Sequence, residues 1–127
     1  MAADAVFRIF VVDDDLFYAH SVTLALRHAG FDVSVFTDTL SAAQQARRSA
    51  PDLVITDHTM PHIDGFVLTA WLQENCPNCK VVVLVRPAAL LPQEEIVGLR
   101  FTPLEKPVYT PMLIDAVRDI AGSHRKS

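Results

Sequence analysis

Four short apolar runs constrain this fold more than anything else in the chain: Phe7 to Val12, Val33 to Phe36, Leu53 to Ile55 and Val81 to Val85. They are rich in β-branched residues and mostly lack polar alternation. A strand with one wet face alternates; a strand buried on both faces does not, and burial on both faces is the habit of parallel sheets covered by helices. A fifth run, Leu99 to Leu104, is interrupted by Pro103, which has no N–H to give a neighbour and suits a sheet edge.

The segments between these runs read as helices. Leu16, Ala19, Val22, Leu26 and Ala29 recur at helical spacing, and Gly30 is a stop signal. Asp38 or Ser41 caps a second helix running to about Ala50, where Pro51 forces an exit. Asp64 caps a third, with Phe66, Leu68, Trp71 and Leu72 as its apolar contacts. A fourth, around Gln93 to Val97, is short. The last runs from about Pro111 to Ala121, with Leu113, Ile114, Val117 and Ile120 on one side, and the polar tail Ser123 to Ser127 is expected to fray. Strand and helix thus alternate, which predicts an α/β three-layer sandwich: a parallel sheet of five strands, joined by right-handed crossovers, with about five helices on its two faces.

A chain of 127 residues fits one domain, residues 1–127, with an ordered core over about 6–121 and a tail over 122–127. Half of the residues are hydrophobic and 20% charged, the balance of a folded chain. The net charge of -4 leaves no basic excess to hold nucleic acid phosphates, so direct nucleic acid binding is not expected. No apolar run is long enough to span a membrane, Asp4 stands where a signal peptide wants positive charge, and two cysteines are too few for a disulfide scaffold; together these suggest a cytoplasmic protein.

Open parallel sheets carry their functional residues just past the carboxyl ends of the strands. Here the first strand ends in Asp13-Asp14-Asp15, the third in Asp57 and the fifth in Glu105-Lys106-Pro107. Any one such Asp is ordinarily a helix cap or a solvated loop residue. Their coincidence on one rim is informative, because two carboxylates about 5 Å apart repel by roughly 3 kcal/mol at an effective dielectric near 20. Such a cluster needs protons or a cation. Oxygen-only ligands favour Mg²⁺ over zinc or copper, and a cation plus Lys106 around an Asp suits transfer of a phosphoryl group onto that Asp.

The residues at these strand ends resemble the receiver domain of bacterial two-component response regulators. The resemblance is carried by Val11-Val12-Asp13-Asp14-Asp15, by the stretch from Pro51 to Gly65 with its Asp-x-x-Met-Pro-x-x-Asp-Gly core, and by Lys106-Pro107. It implies a flavodoxin-like fold with strand order 2-1-3-4-5. It further implies that Asp57 accepts a phosphoryl group from a sensor histidine kinase or phosphotransfer protein. Asp14 and the backbone carbonyl of Thr59 would bind Mg²⁺ together with Asp57, and Asp13 would hold the metal largely through water. Lys106 would contact the phosphoryl group, and the Lys106-Pro107 bond is expected to be cis. The resemblance makes the chain a regulator rather than an enzyme, passing its signal to an output partner. The chain carries no output domain of its own, and the sequence leaves open both a stand-alone protein and the amino-terminal part of a longer one, as well as a homodimer through the last helices.

Two positions depart from the family pattern. Receivers usually end the fourth strand in Thr or Ser, and here that place is Val85, followed by Arg86 and Pro87. They usually carry Tyr or Phe three residues before the Lys, and here that place is Pro103. A lost hydrogen bond to a charged group is worth about 1.5–3 kcal/mol, as large as a typical allosteric coupling. The phosphorylation chemistry is therefore expected to persist without the usual Thr–Tyr switch, with Arg86 either contacting the phosphoryl group in its place or remaining a solvated loop residue.

Two other readings compete. A phosphorylation-independent docking module, or pseudo-receiver, would explain Val85 and Pro103. A haloacid-dehalogenase-like phosphatase would use Asp13-x-Asp15 as its nucleophile motif, but Phe17 stands where that motif has Thr or Val. Cys76-Pro77-Asn78-Cys79 has the spacing of a zinc or redox pair but no second pair to complete a site. His58 and His62 read as surface loop residues, and Arg47-Arg48 as a solvated helix end.

Overall fold

The architecture was taken from a computed structural model, which describes residues 6–60, 63–85 and 93–126. Strands and helices alternate: β1 (Arg8–Val12), α1 (Leu16–His28), β2 (Asp32–Phe36), α2 (Thr39–Arg48), β3 (Leu53–Asp57), α3 (Gly65–Asn75), β4 (Lys80–Val85), α4 (Gln93–Ile96), β5 (Thr102–Glu105) and α5 (Thr110–Lys126). The five strands form one sheet of order β2-β1-β3-β4-β5, and every pairing is parallel.

The missing polar alternation in the strands has a direct structural cause. Successive side chains on a strand point to opposite faces. Ile9 and Val11 of β1, Leu53 and Ile55 of β3, and Val82 and Leu84 of β4 pack with Ala19, Val22 and Leu26 of α1 and Leu113 and Val117 of α5. Phe10, Val12, Val54, Val81, Val83 and Val85 pack on the other side with Ala42 and Ala46 of α2 and Phe66, Leu68 and Leu72 of α3. Both faces of the central strands are dry, so both need apolar residues. The edge strands β2 and β5 are largely exposed, and Pro103 sits on the edge strand β5 as expected of a residue with no N–H to offer.

Helix ends follow the capping rules. Asp15, Asp38 and Asp64 each cap a helix, accepting from the N–H groups of Tyr18, of Ser41, and of Phe66 and Val67. Gly30 stops α1 with φ at 101°. The N–H of Gly30 then reaches the carbonyl of Arg27 at 3.0 Å and that of Phe31 the carbonyl of Leu26 at 3.1 Å, a Schellman closure.

Among the boundaries that differ from the sequence expectation, three have a clear physical cause or consequence. β5 begins at Thr102 rather than Leu99. The N–H of Leu99 bonds the carbonyl of Ile96 and that of Arg100 bonds Oε1 of Gln73, so neither is free to join β4. β3 continues to Asp57, which is in register with Leu84 of β4. α5 runs on to Lys126 rather than fraying after Ala121, since nothing beyond Ala121 except Gly122 disfavours helix. No described helix is long and apolar enough to cross a membrane.

Candidate functional site

The carboxyl ends of β1, β3 and β5 meet at one rim of the sheet because β3 pairs beside β1 and the ladder continues through β4 to β5. Asp13 follows β1 and is held by its own backbone, with its N–H donating to the Phe36 carbonyl of β2 at 3.0 Å. Asp57 is the last residue of β3, and Lys106 follows β5. The Lys106 N–H donates to the Val85 carbonyl of β4 at 2.7 Å, which fixes where the side chain starts. The Lys106-Pro107 peptide is cis, as the sequence led one to expect.

Carboxylate oxygens of Asp13, Asp14 and Asp57 all lie within 4.8 Å of one another. Lys106 Nζ is 2.7 Å from Oδ1 of Asp57. The Asp57 side chain is only 12% exposed and that of Lys106 31%, so this pair is poorly screened. Asp13 is buried and Asp14 faces solvent. Asp15 turns away from this role: it caps α1, and its N–H donates to Oδ1 of Asp13 at 2.9 Å.

The electrostatic load falls on Asp13. Its carboxyl pKa is pushed up to about 6. Burial is the main cause and the charges of Asp57 and Asp14 add to it, against the Asp15 N–H and Lys106. The folded metal-free protein therefore holds this proton more tightly than the unfolded chain. Asp13 ionisation carries no penalty below about pH 4, a growing one as pH rises through its folded pKa, and the full penalty above it, on the order of 2–3 kcal/mol. Asp13→Asn should accordingly be more stable than the wild type at pH 7.5 in chelator by about 2 kcal/mol. The advantage should shrink toward pH 4. Urea unfolding at the two pH values checks this, and equal stabilities at pH 7.5 would contradict it.

Around the acids, the loop after β3 is tied to the start of α3. The Gly65 N–H donates to the His58 carbonyl at 2.9 Å, and Gly65 is packed against the Asp57 carbonyl. Thr59 is exposed in this loop. The His58 ring is half-buried on Phe66, with centroids 4.4 Å apart, so it is not the free surface residue expected from the sequence. Phe66 in turn lies 5.3 Å from Phe101.

The two departures from the family pattern have distinct settings. Val85 is fully buried among Val83, Phe66 and Met60, an apolar lining with no hydroxyl to offer the site. Pro103 is exposed on β5, in register with Val83. Arg86, Pro87, Pro61 and His62 lie outside the described residues.

Cys76 and Cys79 are free thiols remote from this rim, at the end of α3 and the start of β4. Burial is the main cause that pushes the Cys79 thiol up to about 12, which disfavours the thiolate that metal or redox chemistry needs. One residue of the site was missed in the sequence. Tyr18 of α1 brings its ring centroid to 6.0 Å from Lys106 Nζ. Its position one helical turn beyond Asp14 was the available signal.

Comparison with known proteins agrees with this geometry. The family profile of the response regulator receiver domain matches residues 9–118. The probable transcriptional regulatory protein TcrX of Mycobacterium tuberculosis is 33% identical over 91 residues, covering 72% of this chain and 38% of that protein. The DNA-binding response regulator MtrA of Mycolicibacterium paratuberculosis is 43% identical over 58 residues, 46% of this chain and 26% of MtrA. The chain thus spans well under half the length of these relatives. Among solved structures, a CheY-like receiver domain protein from Methanospirillum hungatei superposes with a TM-score of 0.89 at 20% identity, covering 96% of this chain and 98% of that one. The receiver domain of the sensor histidine kinase PA1611 from Pseudomonas aeruginosa, solved with a magnesium ion in its active site cleft, gives 0.82 at 23% identity over 93% and 99%. With the family profile matched over nearly its whole length and the 2-1-3-4-5 parallel sheet in place, the chain belongs to the response regulator receiver domains.

Proposed function

We propose that Asp57 is the phosphoryl acceptor of this receiver and that Asp13, Asp14, Asp57 and the backbone carbonyl of Thr59 hold Mg²⁺ beside it. The carrying observation is the meeting of three carboxylates within 4.8 Å with a lysine ammonium 2.7 Å from one of them. The donor set fits a hard cation: it is all oxygen and clustered, and burial together with the charges of Asp57 and Asp14 lifts Asp13 to about 6. The magnesium ion of the Pseudomonas receiver supports the same reading. When bound, Mg²⁺ supplies positive charge against the phosphoryl oxygens.

The chain's own groups do the rest. A carboxylate oxygen of Asp57 attacks phosphorus, an O–P bond forms, and the bond from phosphorus to the donor breaks, releasing the imidazole of a phosphohistidine or the acetate of acetyl phosphate. Lys106 passes from the carboxylate to a phosphoryl oxygen and neutralises part of the transferred charge. The pairing of Lys106 with Asp57 rather than Asp13 favours Asp57 as nucleophile over the phosphatase reading. Mass measurement after incubation with acetyl phosphate and Mg²⁺ should show one added phosphoryl group, and none when Mg²⁺ is withheld. Absence of any adduct would favour the docking-module reading.

Receiver domains are regulatory, receiving from histidine kinases or phosphotransfer proteins and acting through output domains. The relatives named as DNA-binding regulators support an output that acts on nucleic acid, and the net charge of -4 argues for a contact outside this receiver. Such partners support a cytoplasmic setting.

Val85 and Pro103 support a response to phosphorylation that does not use the Thr–Tyr route. Beryllofluoride, which mimics the phosphoryl group, should therefore move the amide spectra of the residues around Asp57 and Lys106 and leave α4 and the first residues of β5, Thr102 and Pro103, little changed. A large rearrangement of the fourth helix and β5 would refute this.

A further inference from the structure

We propose that Tyr18 is a positioning residue for Lys106, its ring holding the ammonium over the phosphorylation site; this rests on the reading of Asp57 as acceptor.

Lysine carries its charge on a flexible four-carbon stem, so an ammonium that must exchange a carboxylate for a phosphoryl oxygen gains from a fixed neighbour. The Tyr18 ring is such a neighbour. It lies 6.0 Å from Lys106 Nζ, at the outer limit of a cation–π contact, on the side of the lysine provided by α1. The ring itself is anchored. Its backbone N–H donates to Oδ1 of Asp15 at 3.2 Å, in the cap of α1, and its half-buried side chain packs against the cluster formed by α1, α5 and the sheet. The cap that starts α1 just after Asp13 and Asp14 therefore fixes the backbone from which the ring projects.

The chemistry suits an aromatic better than a third charged partner. Burial raises the phenol above its usual range, and the charges of Asp13 and Asp57 raise it further, so Tyr18 stays neutral beside the acids. It attracts the ammonium through its face without adding to the carboxylate repulsion or competing with a phosphoryl oxygen for Lys106. In the acceptor state the ring shares the ammonium with Asp57, and in the loaded state it keeps the ammonium near while the carboxylate is held as an acyl phosphate.

Two Tyr18 variants and a Lys106→Met background test this. Tyr18→Phe keeps the ring, and Tyr18→Leu keeps apolar volume without a ring face. Phosphorylation by acetyl phosphate at fixed Mg²⁺ should proceed in Tyr18→Phe within about twofold of wild type and in Tyr18→Leu about three- to tenfold more slowly. On a Lys106→Met background, Tyr18→Leu should add no further slowing, whereas a purely structural role for Tyr18 would slow both backgrounds alike. The ring-current shift of the Lys106 ε-methylene protons, present in wild type and Tyr18→Phe and lost in Tyr18→Leu, reads the contact without any phosphoryl donor. A wild-type rate in Tyr18→Leu, equal slowing in the Phe and Leu variants, or no ring-current shift would overturn the proposal. A wild type that shows the shift yet takes up no phosphoryl group would instead overturn the reading of Asp57.

Discussion

Asp57→Asn is expected to take up no phosphoryl group from acetyl phosphate and Mg²⁺ where the wild-type chain takes up one. The substitution changes no shape. It replaces an anionic oxygen, able to form a bond to phosphorus, by a neutral amide oxygen that is a far weaker nucleophile. It also removes the charge partner of Lys106, 2.7 Å away, and one of the three carboxylates that face one another within 4.8 Å. Each change acts in the same direction, and the loss should be complete within the sensitivity of intact-mass measurement. A second outcome is decisive in another way. Were the Asn protein still to gain phosphoryl mass, mapping it to Asp13 would transfer the nucleophile to β1 and favour the phosphatase reading.

Gly65→Ala should damage the fold and the site together. A Cβ built on Gly65 collides with the backbone carbonyl of Asp57 and comes within 3.2 Å of Cγ2 of Thr56. Backbone at the end of a fully buried strand does not give way, so α3 must tilt off the sheet. That movement would break the hydrogen bond from the Gly65 N–H to the His58 carbonyl and disturb the loop between Asp57 and α3. A loss of about 3 kcal/mol is expected from overpacking of this kind. Gly122, in α5, is the internal control, because a Cβ there meets nothing within 4 Å. Gly122→Ala should stabilise the protein by about 0.5–1 kcal/mol through helix propensity alone. Urea unfolding of the two variants checks the contrast, and a Gly65→Ala protein as stable as wild type would mean that α3 is not seated on β3 as described.

Much of the architecture was legible from local pattern. The β-branched runs of β1, β3 and β4 declared strands dry on both faces, and Asp38, Asp64 and Gly30 marked helix ends that the structure uses as caps and stops. β5 was legible as an edge through Pro103, but its first residues were misplaced. Hydrogen bonding by Leu99 to Ile96 and by Arg100 to Gln73 is a long-range choice that apolarity does not report. The helical reach of α5 to Lys126 was missed because its last residues are polar and read as tail. His58 was taken for a surface residue because nothing in its own neighbourhood names Phe66 as a stacking partner.

The site divides in the same way. Residue type and strand-end position brought out Asp13, Asp14, Asp15, Asp57, Glu105 and Lys106, and the receiver resemblance narrowed these to Asp13, Asp14, Asp57 and Lys106. Their distances, the burial that lifts Asp13 while leaving Asp14 in water, and the approach of Tyr18 to Lys106 were decided only by the packed sheet and by α1 above it. A sequence fixes which face and which end of an element a side chain occupies, since those follow from backbone periodicity. How close two charges come, and how much water remains between them, depends on the order and register of strands far apart in the chain, and that is a property of the assembled fold.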